Sequence, residues 1–565
     1  MKKFSKILSV ALLVALVLSL GVANAFADPG DTASGESGEP ETPAATTKTI
    51  TLTGGKAGHT YTLYQVFTGK TTETDGELTD IQWGSDVTDT FKATKDTAAA
   101  YAKEIADSAD ARATAQALIA NNALTGGTAK TLTTDGTVVF DGLAEGYYIV
   151  IDTNGNENPI EGDYSSAVIV QVVKNVEMKL KGDGATSDKK VKDINDSTGD
   201  ESEYQDSADY DIGDAVPFQL TATTANNVAA YKKYHVTFQD TQSEGLDNPT
   251  SWTVTVLGKT FTLNAETTTA NDTTNKGTKI TVEKITPAQG KTFAIKVTFE
   301  PTAENAVYLD AECNSTTITV DYSSVLNQNA KLGVEGNPNT SNILYSNNPE
   351  DEDDSDEGKT PDKTVVVFTY KTVVDKIDET GAALKGAQFV LYKEVANSSV
   401  TGAKQGSAIT FADGVEHSKI DAEKYYVEAG IKTVNDEVQF DFKGIDDGTY
   451  VLVETVVPVG YNPFQSVEFT VSATHTGNPK TLTLEGTAPF TNANSTTGNV
   501  DVDKKNGDKH AEVPGELYTE VENNSGTVLP STGGIGTTIF YVVGSILVVA
   551  AGVLLITKKR MSREG

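Results

Sequence analysis

In the segment YVLVET (450–455), Tyr450, Leu452 and Glu454 fall on one face of an extended strand, while Val451 and Val453 take the other. A carboxylate that shares a face with tyrosine and leucine points into a core. Left unpaired it is costly there, so Glu454 is expected to be protonated or matched to a partner, and a protonated carboxyl can give and take protons. A second acid, Asp240, sits in VTFQDTQSEGL (236–246), where it could also be a turn-forming aspartate ahead of Ser243–Gly245. In SDKKVKD (187–193), Lys189 shares a face with Val191 and so suits a buried amine better than Lys190. A lysine attacks a carbonyl only when neutral, and burial among apolar groups favours the neutral form. Other chemistry has little support. The five histidines (His59, His235, His417, His475, His510) lack the spacing of a metal site or a hydrolytic triad, and no glycine-rich phosphate loop is present. No metal, no cofactor and no enzymatic turnover on outside substrates are therefore expected. The single cysteine, Cys313, excludes a disulfide framework and reads as a small buried apolar side chain.

The two ends of the chain say where this chemistry takes place. Lys2, Lys3 and Lys6 precede an apolar stretch from Ile7 to Val22, and Ala25-Phe26-Ala27 offers a small-x-small cleavage site, so residues 1–27 read as a secretory signal peptide. At the other end LPSTG (Leu529, Pro530, Ser531, Thr532, Gly533) is followed by an uncharged run from Ile535 to Thr557 and then by Lys558, Lys559 and Arg560. That run is long enough to form one transmembrane helix in the precursor, and its basic flank stays on the cytoplasmic side. The formal net charge is −34, and the basic ends account for none of the excess. So acidic an exported body repels nucleic acid and anionic lipid and favours solubility in a cell wall. The tail over 529–565 resembles the sorting signal of Gram-positive wall proteins. That resemblance implies that a sortase cuts between Thr532 and Gly533, holds Thr532 as a thioester and passes it to an amine.

The elements that must hold the buried acids are strands. Residues 28–46 are rich in Gly, Pro, Glu, Ser and Thr and read as a disordered lead-in. From there the pattern alternates in period two through TITLT (49–53), TYTLYQVF (60–67), TVVFDGL (137–143), YYIVIDT (147–153) and SAVIVQVV (166–173), a first domain over 47–182. One insertion, Thr97 to Ala120, is alanine-rich and helical in pattern. A second domain over 187–349 alternates again in AVPFQLTAT (215–223), SWTVTVLG (251–258) and FAIKVTF (293–299). Residues 350–363 read as an acidic linker rather than a calcium loop, because Glu350 to Glu357 lacks the turn glycine and the closing glutamate. A third domain fills 364–526. The fold class is all-β, a tandem of immunoglobulin-like sandwiches.

VVDKIDETGAALKGAQFVLYK (373–393), YVLVETVVPVGY (450–461) and ELYTEVENNSG (516–526) together resemble the CnaB-type domains of sortase-assembled pilins. In those domains a strand lysine joins an asparagine side chain through an intramolecular isopeptide bond. Carried over residue by residue, the resemblance makes Lys376 the amine, Glu454 the catalytic acid and Asn523 the amide that loses ammonia, with Asn492 and Asn494 as alternative acceptors. The middle domain, with SDKKVKD, VTFQDTQSEGL and SNILYSNNP (341–349), resembles that of SpaA-type backbone pilins, where aspartate replaces the glutamate. This implies Lys189 as amine, Asp240 as acid and Asn347 as acceptor, with Asn342 in reserve. The first domain has a box-like EGYYIVIDT (145–153) with Asp152 in the acid position and only Lys48 as a nearby amine, so no bond is expected there.

Two such bonds would close loops of roughly 150 residues, each stabilising by about 5 kcal/mol on the loop-entropy model. They would supply the toughness that a disulfide-free exported protein lacks. Polymerisation needs one more lysine. VEMKLK (176–181), near the end of the first domain, is partly similar to the pilin motif VxVYPK, which implies Lys181 as the nucleophile; Lys174, in VVKN, is the alternative. The resemblance as a whole implies the major subunit of a covalent pilus that supports adhesion. Its partners would be a pilus-specific and a housekeeping sortase, other copies of itself, accessory tip or base pilins, peptidoglycan, and a host or matrix surface that the sequence does not name. The alternative is a monomeric wall-anchored adhesin or an accessory pilin that is not polymerised.

Overall fold

The structure is a computed structural model of the chain and describes residues 47–71, 78–108, 111–154, 167–180, 184–275, 277–302, 308–349, 357–411, 417–490, 501–505, 507, 509–511, 513–526, 543–553, 556 and 558. The signal peptide, the lead-in, Lys181, Asn492, Asn494 and the LPSTG motif lie outside the described residues. Residues 543–553 of the C-terminal apolar run are helical. Among the described residues, no helix is long and apolar enough to cross a membrane.

The alternating segments form three two-sheet units. In the first, the strands Gly136–Leu143, Lys48–Gly55 and Val176–Lys179 make a small sheet that faces a second built on His59–Thr71, Gly146–Asn154 and Ala167–Val172. Ile50, Leu52, Tyr61, Phe140, Val150 and Val170 fill the space between them. The alanine-rich insertion forms two helices, Ala98–Ser108 and Ala111–Ala120. They bury Tyr101 and Leu118 against Phe67 and Ile149 on the outer face of the second sheet. That explains why YYIVIDT is apolar at successive positions: Tyr148 and Val150 look inward while Ile149 meets the helices.

The middle unit faces a five-stranded sheet against an eight-stranded one, and the C-terminal unit faces four strands against six. Two features of their topology position chemistry. In the C-terminal unit the opening strand Tyr370–Asp378 lies beside the closing strand Glu516–Asn523 in parallel register. In the middle unit the opening strand Thr186–Val191 belongs to the five-stranded sheet, while the late strand Asn337–Ser346 belongs to the other. A link between the first and last strands of either unit would therefore carry load past everything between them.

The boundary between these units differs from the expected linker over 350–363. Glu357–Lys359 and Lys363–Phe368 both add to the middle unit's larger sheet, pairing with Asn337–Ser346. Along Lys363–Phe368 the side chains divide by parity. Val365 and Val367 enter the middle core, whereas Val366 and Phe368 enter the C-terminal core. An uninterrupted apolar strand (VVVF) is what burial on both faces requires, so this strand is shared rather than the start of a separate third domain.

Candidate functional site

The C-terminal site is built from two facing sheets. Lys376 and Asn523 sit on the neighbouring parallel strands, with Lys376 opposite Val521 and Asp378 opposite Asn523. Glu454 comes from the strand Gly448–Val456 of the other sheet. All three side chains are 1% exposed. Asn523 Nδ2 donates to Glu454 Oε1 at 2.9 Å and Oε2 at 3.1 Å, and the Phe464 backbone N–H donates to Oε2 at 2.8 Å. Asn523 Oδ1 has no hydrogen-bond partner among the described residues. Lys376 Nζ donates to the carbonyls of Ile377 at 2.8 Å and Val521 at 3.0 Å. These are neutral acceptors, so burial dominates and pushes the amine down to about 8, only partly opposed by the charge of Glu454. The three residues named from sequence are thus gathered in one core.

The middle site repeats the plan with different parts. Lys189 Nζ donates to Asp240 Oδ2 at 2.5 Å and to the Tyr322 hydroxyl at 2.9 Å. The Tyr322 hydroxyl donates to the same carboxylate oxygen at 3.0 Å. The Phe218 ring, stacked on Tyr322, lies 5.4 Å from the amine. Lys189 and Asp240 are wholly enclosed, and burial drives both toward neutrality: the lysine falls below its ordinary value and the aspartate rises above its own, with their mutual attraction opposing each shift. Burial thus favours the neutral amine and the neutral acid that the chemistry requires.

The structure does not bring Asn347 to this pair. In the strand Asn337–Ser346, Ser341 pairs with Asp240, and Asn339 pairs with Gln242. Asn347 lies beyond the far end of that strand, six residues from Ser341 and so roughly 20 Å from the acid. Asn342 has the opposite parity, and its side chain donates to Asp362 at 2.6 Å. Asn339 sits where the acceptor is needed: it is fully buried, its Nδ2 donates to the Tyr322 hydroxyl at 2.9 Å, and its Oδ1 has no partner among the described residues. Sequence reasoning did not single out Asn339 or Tyr322, since four asparagines stand within 337–347 and, among those of like parity, only the pairing register separates them.

The first unit carries no comparable group among the described residues. Asp152, in the acid position of its box-like segment, meets His59 Nδ1 at 2.7 Å in a fully buried pair. Lys48 opens a strand of the other sheet, opposite Leu143. Of the two lysines considered for polymerisation, Lys174 is exposed in the turn between Ala167–Val172 and Val176–Lys179. Cys313 is buried with its sulfur 3.7 Å from the Thr278 hydroxyl.

Two segments of the chain match known protein families. Residues 371–487 match the SpaA family, a prealbumin-like fold domain, and residues 521–562 match the LPXTG cell wall anchor motif. The trypsin-resistant surface T6 protein of Streptococcus pyogenes serotype M6 is 26% identical over 293 residues, which is 45% of this chain and 51% of that protein. The chain thus spans about half the length of the curated relative it matches. Among solved structures, the T6 backbone pilin of S. pyogenes has a TM-score of 0.47 at 16% identity, covering 85% of this chain and 98% of that one. The major pilin SpaD of Corynebacterium diphtheriae has a TM-score of 0.42 at 17% identity, with coverages of 85% and 98%. The chain is a wall-attached surface protein with an LPXTG anchor motif over 521–562 and a SpaA-type domain over 371–487.

Proposed function

We propose that this chain is the structural subunit of a covalent cell-surface pilus, braced internally by two self-formed isopeptide bonds. The observation that carries the reading is the repeated convergence of a buried lysine, a buried acid and a buried asparagine, in the two units that precede the anchor. In the C-terminal unit, neutral Lys376 attacks Cγ of Asn523, the Cγ–Nδ2 bond breaks and ammonia leaves. Glu454 in its protonated form donates to the asparagine oxygen, takes up a proton from the attacking amine and passes a proton to the departing nitrogen. A half-turn of the Asn523 amide brings Oδ1 to the Glu454 carboxyl, and the two amide ends are nearly the same size. The middle unit uses Lys189, Asp240 and Asn339 in the same roles, with the Tyr322 hydroxyl bridging amine, acid and amide. Juxtaposition in the folded core supplies the entropic share of the barrier, so no outside enzyme takes part.

Sortase does the intermolecular chemistry. It cleaves between Thr532 and Gly533 and transfers the Thr532 acyl group to a lysine of the next copy, for which Lys181 is the assigned nucleophile and Lys174 the alternative. A housekeeping sortase then joins the last copy to peptidoglycan. A muramidase-released wall extract tests this. The expected result is an SDS-resistant ladder containing a branched peptide from the Thr532 carboxyl to the Lys181 amine, and Lys181→Ala should reduce that ladder to single subunits. A ladder lost only in Lys174→Ala would move the junction to that residue. Thr532 attached solely to peptidoglycan, with no ladder, would leave a monomeric wall-anchored surface protein.

A further inference from the structure

A third buried lysine has different company. Lys393, on the strand Gln388–Val395 of the C-terminal unit, is fully enclosed at the contact with the middle unit. Its ammonium donates to Asp446 and to Asp211 Oδ2 at 2.9 Å, with Asp196 Oδ2 at 3.6 Å. No asparagine is among these partners. Burial works against its charge, but Asp211, Asp446 and Asp196 outweigh that and hold the ammonium well above the ordinary lysine value. Lys393 is therefore a fixed cation rather than an attacking amine.

Beside it stands a titratable base of the C-terminal unit. His475 Nδ1 lies 2.8 Å from the Ser207 hydroxyl, and Nε2 lies 3.3 Å from Asp209 and 3.8 Å from Asp193, all in the middle unit. The Phe368 ring packs 5.3 Å away, on the shared strand. The backbone N–H groups of Asp446 and Asp447 donate to Asp211 at 2.9 Å and Asp209 at 3.1 Å. Asp214 belongs to the same acidic group, its backbone N–H donating to the Asp211 carbonyl at 3.2 Å. Seven aspartates, five from the middle unit and two from the C-terminal unit, thus gather around Lys393 and His475 at one joint, and full ionisation of the carboxylates, with both bases protonated, would leave an excess of five negative charges. The tyrosines that face them, Tyr210, Tyr370 and Tyr450, stay protonated because burial raises all three.

We infer that this joint is an acid-tightened latch, in which protonation of His475 and its neighbouring carboxylates clamps the middle and C-terminal units together and their deprotonation loosens them. The titrations act in one direction. Burial opposes the charge on His475, but Asp209, Asp193 and Asp447 outweigh it and raise its pKa, so the imidazole is fully protonated below the ordinary histidine value and loses its proton only as pH rises through the raised one. Burial and then Asp209 push Asp193 up to about 7; burial and then Asp211 push Asp214 up to about 7; burial and then Asp209 push Asp447 up to about 6. Each of these stays protonated in the closed joint to a higher pH than a free carboxylate, so closure weakens as pH rises from the ordinary carboxylate range to about 7, and His475 adds its loss above its own ordinary value. Lys393 keeps its charge throughout, and the strand Lys363–Phe368 keeps the units tethered, so they rock rather than separate.

Spin labels on exposed cysteines introduced at Glu266 and Lys385 of the mature chain would read the distance between the two units. A narrow distribution at pH 5.5 that broadens at pH 8.5 is expected, with the closed-to-open ratio falling about tenfold per pH unit for each proton lost on opening. His475→Gln should be broad at both values, whereas Asp193→Asn should stay narrow to higher pH than the parent. A parent distribution unchanged between the two pH values would overturn the inference, and so would a pH response that survives intact in His475→Gln.

Discussion

Replacing Glu454 with alanine is expected to leave the C-terminal unit with the ammonia that the parent loses, one ammonia heavier than a cross-linked chain of the same sequence, and to lower the unfolding midpoint of that unit by about 10–20 °C. The mass change follows from the chemistry, because without the acid nothing polarises the Asn523 amide or protonates the nitrogen that must leave. The thermal change follows from the topology. Lys376 and Asn523 lie near the two ends of the unit, so the missing bond releases a loop of roughly 150 residues, worth about 5 kcal/mol on the loop-entropy model, and each kcal/mol moves the midpoint of a unit this size by about 2–4 °C. Alanine also removes the acceptor for Asn523 Nδ2 and for the Phe464 N–H, so part of the loss is ordinary packing and hydrogen bonding. Glu454→Gln separates the two contributions. It keeps the volume and can still accept hydrogen bonds, yet it cannot serve as an acid. Intact mass with one ammonia retained and a midpoint close to that of the alanine variant would assign the effect to the bond; loss of that ammonia in either variant, judged against its own sequence mass, would remove Glu454 from the chemistry.

The second large effect distinguishes two asparagines eight residues apart. Asn339→Ala is expected to leave the middle unit uncrosslinked, without the ammonia loss that the parent undergoes there, and less stable by about 5 kcal/mol. Asn347→Ala should keep the cross-link and the parent's ammonia loss. The contrast rests on register: Asn339 reaches the Tyr322 hydroxyl that also contacts Lys189 and Asp240, while Asn347 lies past the end of the strand. Asp240→Ala should reproduce the Asn339 result. Loss of the cross-link in Asn347→Ala with its retention in Asn339→Ala would reverse the assignment.

Much of this site was legible in the sequence where the strand period alone decided it. Glu454 among Tyr450 and Leu452, and Lys189 with Val191, declare their faces through a repeat of two, and both are buried in the structure. The alanine-rich helical insertion was equally plain, because no strand pattern competes with it over 97–120. What the sequence could not supply was pairing between distant strands. Asn339 and Asn347 share parity, so facing direction cannot choose between them, and only the pairing of Asp240 with Ser341 does. Tyr322 was invisible for the same reason, being one more inward-facing aromatic until its strand is placed beside that of Lys189. The strand Lys363–Phe368 was misplaced because an acidic run just before it looked like a domain boundary, and its apolar residues serve two cores at once. The acidic joint escaped notice because its members are spread over 193–475 and gather only when the two units meet.

Peptide mapping of the purified mature chain by mass spectrometry bears most directly on the claim that this protein completes its own cross-links. The account predicts two branched peptides, one joining the Lys376 amine to the Asn523 side chain and one joining Lys189 to Asn339, each short of one ammonia, with the corresponding linear peptides absent. Linear peptides carrying unmodified Lys376, Asn523, Lys189 and Asn339 would contradict it and leave these groups as buried hydrogen-bonded pairs in an otherwise ordinary tandem of sandwiches.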